Sequence, residues 1–282
     1  MNVIASLDDI AERYDAVFCD VWGVVHNGRT AFPDACAALT RFRAAGKHIV
    51  MLTNIPKPRG PIPGQFDRIG VPPSAWDVIV TSGDAIQAEL AARAPGPMYK
   101  IGPPHDHVLW EGLGLAQASL ANATFVAISG LNKDDETPAD YAEMLQQARV
   151  RDLELLCANP DIVVRYGDKL IWCAGAIARD YEAIGGRVVL AGKPHAPIYA
   201  LAFRELETLA ERAIERARIL CIGDGPGTDV AGANAQGLDC LFIAAGIHGE
   251  SLWTNGALDP AKVEQTLGAE KVSAKYVMTE LQ

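Results

Sequence analysis

Short apolar runs alternate with longer amphipathic stretches along the whole chain. The runs are continuously hydrophobic, which predicts strands of a parallel sheet that are covered on both faces. The predicted strands are AVFC (16–19), HIVMLT (48–53), DVIVTS (77–82), RVVLAG (187–192), RILCIG (218–223), DCLFIA (239–244) and KYVM (275–278). Helical spacing of apolar residues predicts helices over 34–45, 84–94, 197–216 and 229–237. This alternation predicts an α/β fold with a doubly wound parallel sheet.

A second α/β module is predicted inside the first. The segment from about residue 95 begins with the turn-rich APGPMYKIGPPHDH, and it contains the strand candidates PMYKIG, TFVAIS, LELLCA and KLIWCA and the helix PADYAEMLQQARV. We therefore predict one domain over 1–82 and 183–282, with an inserted domain over 83–182. The Pro-rich segment 54–65 is predicted to be an ordered loop, and the segment from about 250 to 272 to be helical.

Charge and cysteine usage limit the classes of partner. The chain has 282 residues, a formal net charge of −10 and no run of Lys or Arg, which argues against nucleic acid or an anionic membrane as a partner. The sequence contains no apolar run of membrane-spanning length, and its acidic start lacks the apolar stretch of a secretion signal, so we expect a cytoplasmic protein. Six cysteines without a C-x-x-C pair indicate buried thiols rather than zinc ligands or disulfides.

The first candidate catalytic segment is FCDVWGVVHNG, residues 18–28. Asp20 follows the first long strand, and ligands of open α/β sheets bind at the carboxyl ends of strands. A carboxylate there can attack phosphorus and form an acyl phosphate. Gly23 allows a sharp turn out of the strand. Asp20 by itself could equally be an aspartate that caps the turn.

A second acidic segment is CIGDGPGTDVAGANAQG, residues 221–237. Asp224 ends an apolar strand, and Asp229 follows five residues later. Carboxylates brought together beside Asp20 would repel one another by about 4 kcal/mol per pair at ~4 Å, and Mg²⁺ would remove that repulsion. A dinucleotide-binding loop is the alternative, but the glycine spacing is G-x-G-x-G rather than G-x-G-x-x-G, and the aspartates would repel a pyrophosphate.

Two further strand ends carry residues suited to phosphate. Thr53 ends HIVMLT and Asn54 follows it, and their hydroxyl, amide and backbone N–H groups can hold phosphate oxygens, although a strand-ending turn explains this dipeptide better when it is taken by itself. Lys193 follows RVVLAG and could steady both a nucleophile and a phosphate, although most lysines lie on the surface. Together, residues 20, 53, 193 and 224 are expected to converge at one edge of one sheet, which predicts phosphoryl transfer.

With these four segments in order, the chain resembles the haloacid dehalogenase-like (HAD) superfamily. They read D-V-W-G-V, T-N, G-K-P and G-D-G-P-G-T-D, and the inserted module with its ANPD segment is similar to the cap of the class IIA, NagD-like branch. The resemblance implies that Asp20 is both nucleophile and Mg²⁺ ligand, with Asp224 and the backbone carbonyl of Trp22 as further ligands and Asp229 behind them. It further implies that Thr53 and Asn54 clamp phosphate and that Lys193 bridges nucleophile and phosphate.

Trp22 departs from the pattern of the family. Phosphatases of this superfamily have an acid–base aspartate two residues after the nucleophile, and an indole cannot transfer the proton. Three explanations stay open: His26 carries the proton, the leaving group needs no acid, or the chain binds phosphate esters with little turnover. His26 could equally be a turn residue bonded to backbone, and Trp22 could pack beneath the cap and exclude water.

Several other residues have two interpretations. His195 could reach substrate or simply begin a helix, and His105 and His107 have metal-like spacing but are expected at the surface. Asn159 and Asp161 could touch substrate or form a turn. We expect a phosphatase of small phosphate monoesters, with a phosphometabolite-binding or regulatory protein as the alternative and C–halogen hydrolysis disfavoured by the Asp224/Asp229 pair. The size of the cap is compatible with a homodimer.

Overall fold

The apolar runs and amphipathic stretches fold into alternating strands and helices. The computed structural model describes residues 1–166, 169–247 and 249–282. Its strands are, in chain order, β1 (Asn2–Val3), β2 (Ala16–Cys19), β3 (His48–Thr53), β4 (Val78–Thr81), β5 (Met98–Ile101), β6 (Phe125–Ile128), β7 (Glu154–Cys157), β8 (Val163–Tyr166), β9 (Lys169–Trp172), β10 (Arg187–Leu190), β11 (Ile219–Gly223), β12 (Asp239–Ile243), β13 (Trp253–Thr254), β14 (Ala257–Leu258) and β15 (Tyr276–Met278). Its α-helices are α1 (Pro33–Ala44), α2 (Ile62–Ile69), α3 (Ser82–Ala91), α4 (Ala142–Val150), α5 (Ala174–Ala183), α6 (Ala196–Ala210), α7 (Ala231–Gln236) and α8 (Pro260–Ala269).

The first sheet has the order β1-β15-β12-β11-β2-β3-β4, and every neighbouring pair is parallel. Successive residues of β2 point to opposite faces: Val17 and Cys19 pack in one apolar cluster, and Ala16 and Phe18 in the other. Both faces are thus covered, which explains the continuous hydrophobicity of these strands. The predicted doubly wound α/β fold is confirmed.

The first sheet reverses its strand order beside β2. The chain continues from β2 to β3 on one side, and from β11 to β12 on the other. In open α/β sheets such a switch point opens a crevice at the carboxyl ends of the strands, where ligands bind. We therefore expect a functional site at the loops after β2 and β11.

The second sheet is smaller, with the order β10-β7-β6-β5 and parallel pairing throughout. The helix α3 connects it to the first sheet: the Thr81 side chain accepts a hydrogen bond from the backbone N–H of Asp84 and so caps α3 directly after β4. Ile86 and Leu90 of α3 then pack in an apolar cluster of the second sheet. The strands β8 and β9 form a separate antiparallel hairpin within this module.

The structure differs from the predicted elements at several points. β10 pairs with β7 in the second sheet, so our assignment of RVVLAG to the first sheet was wrong. KLIWCA supplies β9 of the hairpin rather than a strand of the second sheet. The segment predicted as helical near the C-terminus begins with the hairpin β13–β14, and only α8 is helical. The helices α2 and α5 were not predicted. The domain limits 83–182 stay a prediction, although β10 lies beyond them.

The cysteines of the structure agree with the sequence analysis. The cysteines are free and buried, as predicted, at Cys19, Cys36, Cys157, Cys173, Cys221 and Cys240. Burial raises the pKa of the thiols of Cys157 and Cys221, which keeps them protonated and unreactive. Within the described ranges, no helix has both the length and the apolar character that crossing a membrane would require.

Candidate active site

Three adjacent strands of the first sheet end in polar residues at one edge. Asp20 follows β2, Thr53 ends β3 and Asp224 follows β11. Because β2 lies between β11 and β3 and all three are parallel, their carboxyl ends meet. The three side chains are buried and line one cleft of about 680 Å³, part of which opens to solvent. Lys193 and Asp229 line the same cleft.

Lys193 reaches this edge from the second sheet, because it follows β10. Our expectation that all four segments follow strands of one sheet was therefore wrong for this residue, yet it lies beside the others. Its Nζ donates to Asp20 Oδ1 at 2.5 Å and to Asp229 Oδ1 at 2.7 Å. Burial lowers the pKa of Lys193, but Asp20 and Asp229 raise it by more. The buried ammonium is therefore charged and shared between two carboxylates.

Asp20, Asp224 and Asp229 form a compact cluster of carboxylates. One oxygen from each lies within 4.8 Å of the others. Asp224 Oδ2 accepts the backbone N–H of Ile247 at 2.6 Å, and Asp229 Oδ2 accepts that of Gly225 at 3.0 Å. Burial raises the pKa of Asp20, and the charges of Asp229 and Asp224 raise it further. Lys193 lowers this pKa, but by less than the other effects raise it. Burial, with Asp229 adding to it, raises the pKa of Asp224 to about 7.

Two glycines leave space for the carboxylate of Asp224. A Cβ atom on Gly23 would lie 2.2 Å from Asp224 Oδ2, and one on Gly246 would lie 2.0 Å from the same oxygen. Gly23 also has a φ of +88°, which other residues rarely adopt. Asp229 lies in a π-helical turn, Pro226–Val230, that precedes α7. The glycines and the π-helical turn thus allow the carboxylates of Asp224 and Asp229 to lie side by side.

The carboxylate cluster fits a hard divalent cation. Its donors are oxygens only, which suits Mg²⁺ or Ca²⁺ better than a softer metal. Among the cleft-lining residues are four aspartates, one lysine and one arginine, a formal excess of two negative charges. A divalent cation would neutralise that excess and bring the pKa of Asp224 down. In the part of the chain that the structure describes, no other group of three or more His, Cys, Asp or Glu side chains has this spacing.

The side chain of Asn54 joins three segments. Its Nδ2 donates to Asp161 Oδ1 at 2.7 Å and to the carbonyl of Lys193 at 3.2 Å, and its Oδ1 accepts the backbone N–H of Lys193 at 2.7 Å. The hydroxyl oxygen of Thr53 accepts the backbone N–H of Ile55 at 3.3 Å. The role of Thr53 and Asn54 as a phosphate clamp stays a prediction, and Asn54 could donate from its side chain only by releasing Asp161.

Trp22 connects the two modules. Its indole lines the cleft, and Nε1 donates to the backbone carbonyl of Arg165 in β8 at 2.6 Å. The same ring packs edge-on against His26, with ring centroids 5.2 Å apart. Trp22 therefore holds the hairpin of the second module against the loop that follows β2, which agrees with packing beneath a cap rather than with proton transfer.

The four candidate histidines of the sequence, His26, His105, His107 and His195, do not line the cleft. His26 is buried, its Nδ1 accepts the backbone N–H of Gly28 at 2.9 Å, and burial lowers its pKa to about 4. His26 is therefore the turn residue bonded to backbone that the sequence analysis offered as one interpretation, and it is neutral at physiological pH. His195 precedes α6 and burial lowers its pKa. His105 and His107 are exposed, as expected.

Some residues of the cleft carried little or no signal in the sequence. Asp161 lines it, and its backbone N–H donates to Asn159 Oδ1 at 3.1 Å, which is the predicted turn; contact of Asn159 or Asp161 with substrate stays a prediction. Arg165 and the Gly246–Ile247 segment also line it and were not predicted. The small residues after β12 could have indicated a close approach, but nothing local marks Arg165, whose position depends on how the hairpin packs.

An acidic cleft at the carboxyl edge of a doubly wound sheet is typical of an α/β enzyme. A haloacid dehalogenase-like hydrolase family profile matches residues 17–116, and an HAD-hydrolase-like profile matches residues 190–269. The chain is also 44% identical to a haloacid dehalogenase-like hydrolase from Brucella suis 1330, with a TM-score of 0.89 over 99% of this chain and 100% of that one. The chain therefore belongs to the haloacid dehalogenase-like hydrolase family, as the four segments predicted.

Two further relatives are phosphatases. The chain is 28% identical to glycerol-3-phosphate phosphatase from Gallus gallus, over 84% of this chain and 82% of the relative. It is 24% identical to glycerol phosphate phosphatase from Mycobacterium tuberculosis, solved in complex with calcium, with a TM-score of 0.61 over 84% of this chain and 68% of that one. The second similarity shows the shared fold. The family matches and the Gallus gallus relative agree with the class IIA branch and confirm the predicted enzyme class, a phosphoric monoester hydrolase.

Proposed function

We propose that this protein is a Mg²⁺-dependent phosphatase of small phosphate monoesters that works through an aspartyl phosphate on Asp20. The observation that carries the proposal is the contact of Lys193 with both Asp20 and Asp229 beside a cluster of three carboxylates. Phosphoryl transfer depends on positioning and charge stabilisation, and this arrangement supplies a nucleophile with a fixed cation next to it. A cytoplasmic location remains our expectation.

In the proposed reaction a carboxylate oxygen of Asp20 attacks phosphorus, and the bond from phosphorus to the ester oxygen breaks. The leaving oxygen takes up a proton and departs as an alcohol. Water then attacks the phosphorus of the acyl phosphate, which releases inorganic phosphate and restores the carboxylate. Lys193 favours the ionised form of Asp20 that attacks, because its ammonium opposes the burial and the neighbouring carboxylates that raise the pKa of Asp20.

Asp20 and Asp224 are the proposed side-chain ligands of the cation, with the backbone carbonyl of Trp22, while Asp229 supports them through Lys193 and Gly225. A bound Mg²⁺ would neutralise negative charge on the phosphoryl group. The M. tuberculosis relative was solved with calcium, which supports a divalent cation but not a particular one. The choice of Mg²⁺ rests on its preference for carboxylates, water and substrate phosphate together.

Asp161 is our candidate for the missing acid and base. Trp22 cannot transfer a proton, and His26 is buried outside the cleft with a pKa of about 4. Asp161 lines the cleft, and burial raises its pKa, which favours the protonated form that an acid requires. A leaving group that needs no acid is the other explanation. The alternative of a binding protein with little turnover gains no support from the relatives, which are phosphatases.

We further propose that the second module is a cap that closes over the cleft and selects the leaving group. It already contributes Asp161 and Arg165 to the lining, and Trp22 donates a hydrogen bond to its hairpin. A narrow cleft lined by buried side chains suits a small ester rather than a macromolecule. A homodimer built through such a cap stays compatible with this proposal.

Phosphate release from p-nitrophenyl phosphate tests the proposed function. We expect release with Mg²⁺, none with EDTA, and a loss of at least roughly 1,000-fold in Asp20→Asn, because the amide is no nucleophile. A phosphorylated peptide containing Asp20 should be found in acid-quenched wild-type samples. The exposed Asp67→Asn is the matched control and should behave like wild type. Metal-independent release, or full activity in Asp20→Asn, would contradict the proposal.

A further inference from the structure

Arg165 is a cation in the cleft that the reaction above does not use. It lies in β8 and lines the same cleft as Asp20. The loop after β2 helps to fix its position, because its backbone carbonyl accepts the indole N–H of Trp22 at 2.6 Å. The residue that replaces the usual acid–base aspartate of the family thus holds an arginine over the site.

The guanidinium of Arg165 has few partners. Its Nη2 lies 3.5 Å from the carbonyl of Ile247, a long hydrogen bond, and its Nε is buried without a hydrogen-bond partner. Among the side chains that the structure describes, which do not include those of residues 166–168, 248 and 250, no carboxylate forms an ion pair with Arg165. Arg93, which is also part of the second module, is paired with both Glu89 and Glu154. A buried N–H without an acceptor is costly, so such groups normally meet a ligand or water.

The two cations of the cleft, Lys193 and Arg165, differ in whether carboxylates pair with them. Lys193 is already shared between Asp20 and Asp229, where the phosphoryl group of the substrate has to be. Arg165 comes from the second module, and no described carboxylate pairs with its guanidinium. Its fork geometry is best matched by a carboxylate, which accepts two parallel N–H groups.

Resting on the proposed function, we propose that Arg165 selects phosphate monoesters of small hydroxycarboxylic acids, by pairing with the carboxylate of the leaving group. A neutral polyol would leave the guanidinium without a counter-charge. The substrate would then carry one anion toward Asp20 and Lys193 and a second toward β8. Arg165 acts here as a specificity residue and takes no part in bond breaking.

A matched pair of substrates tests this proposal. 3-Phosphoglycerate and glycerol 3-phosphate share a carbon skeleton and differ in a carboxylate against a hydroxymethyl group. We expect wild type to prefer 3-phosphoglycerate in kcat/KM by roughly 10- to 100-fold, the range for hydrogen bonds to a charged group. Arg165→Gln should bring the ratio of the two values close to one, mainly through KM for 3-phosphoglycerate. Arg165→Lys, which keeps charge but not the fork, should retain part of the ratio.

Arg187→Gln is the control, because Arg187 is an exposed arginine of β10; it should leave the ratio unchanged. Equal kcat/KM values for both esters in wild type, or an unchanged ratio in Arg165→Gln, would overturn the proposal. If no ester at all is hydrolysed with Mg²⁺ present, including p-nitrophenyl phosphate, the proposed function fails. Calorimetric binding of the two esters to Asp20→Asn, with and without Arg165→Gln, then still decides whether Arg165 reads a carboxylate.

Discussion

Asp224 provides a test of whether the cleft is built for a cation, because its carboxylate is unfavourable in the folded chain without one. The proposed perturbation is Asp224→Asn, which removes the charge and keeps the shape. The amide oxygen can still accept the backbone N–H of Ile247, which now donates to Asp224 Oδ2 at 2.6 Å. Any change in stability should therefore report on charge rather than on a lost hydrogen bond.

The size of the effect follows from the pKa of Asp224. Burial, with the neighbouring Asp229 adding to it, raises this pKa from 3.8 to about 7. One pKa unit corresponds to about 1.4 kcal/mol, so ionising Asp224 costs the folded protein roughly 4 kcal/mol above pH 7. Between the two pKa values the folded state holds the proton that the unfolded state has lost. Its contribution to stability is therefore present at low pH and is lost as pH rises through about 7.

The assay is the free energy of unfolding in EDTA at about pH 5 and about pH 8. We expect Asp224→Asn to be more stable than wild type at the higher pH, and this advantage to shrink by roughly 2–3 kcal/mol at the lower pH. Mg²⁺ at a hundred times its Kd should stabilise wild type by about 3 kcal/mol and the variant far less. The exposed Asp67→Asn should show neither effect. An advantage of Asp224→Asn that is equal at both pH values would refute the electrostatic reasoning.

Two further outcomes are expected. Lys193→Met should lower the free energy of unfolding in thermal denaturation by roughly 3–5 kcal/mol, since it leaves Asp20 and Asp229 buried without their cation. The control Lys275→Met breaks an ion pair at a lysine side chain that is 43% exposed and should cost at most about 1 kcal/mol. Similar losses in both variants would contradict the conclusion that Lys193 is a buried charge. Asp161→Asn should slow release from glycerol 3-phosphate by roughly 100-fold but release from p-nitrophenyl phosphate much less, because nitrophenolate leaves without a proton; equal losses in steady-state kcat would argue against Asp161 as the acid.

Local sequence predicted the strands of the first sheet except the short β1, and it was insufficient for the second module. Runs such as HIVMLT are apolar on both faces, and that pattern identifies buried parallel strands whatever their partners. Pairing is a different matter, because RVVLAG has the same pattern and yet pairs with β7 rather than with a strand of the first sheet. Nothing in a continuous apolar run specifies which sheet receives it. α2 was missed because its first turn lies inside a Pro-rich segment, where Pro is tolerated.

The chemical residues of the cleft were predictable where they follow strands and obscure where they depend on the second module. Asp20, Thr53 and Asp224 each come directly after or at the end of an apolar run, and parallel strands bring such positions to one edge. Arg165 lies in a short hairpin, and its place over the cleft depends on a hydrogen bond from Trp22, 143 positions away in the chain. Periodicity carries no information about such a long-range contact.

Gly192 lies where three chain segments approach so closely that a larger residue would not fit. A Cβ atom there would lie 2.5 Å from Asn54 Oδ1, 2.5 Å from the Ser82 hydroxyl and 2.8 Å from Pro160 Cδ. These three atoms belong to the loop after β3, the start of α3 and the turn after β7, so the chain segments that enter and leave the second module meet the loop after β3 at one point. A methyl group added at Gly192 would clash with all three atoms, so we expect Gly192→Ala to displace Lys193, the next residue, from Asp20.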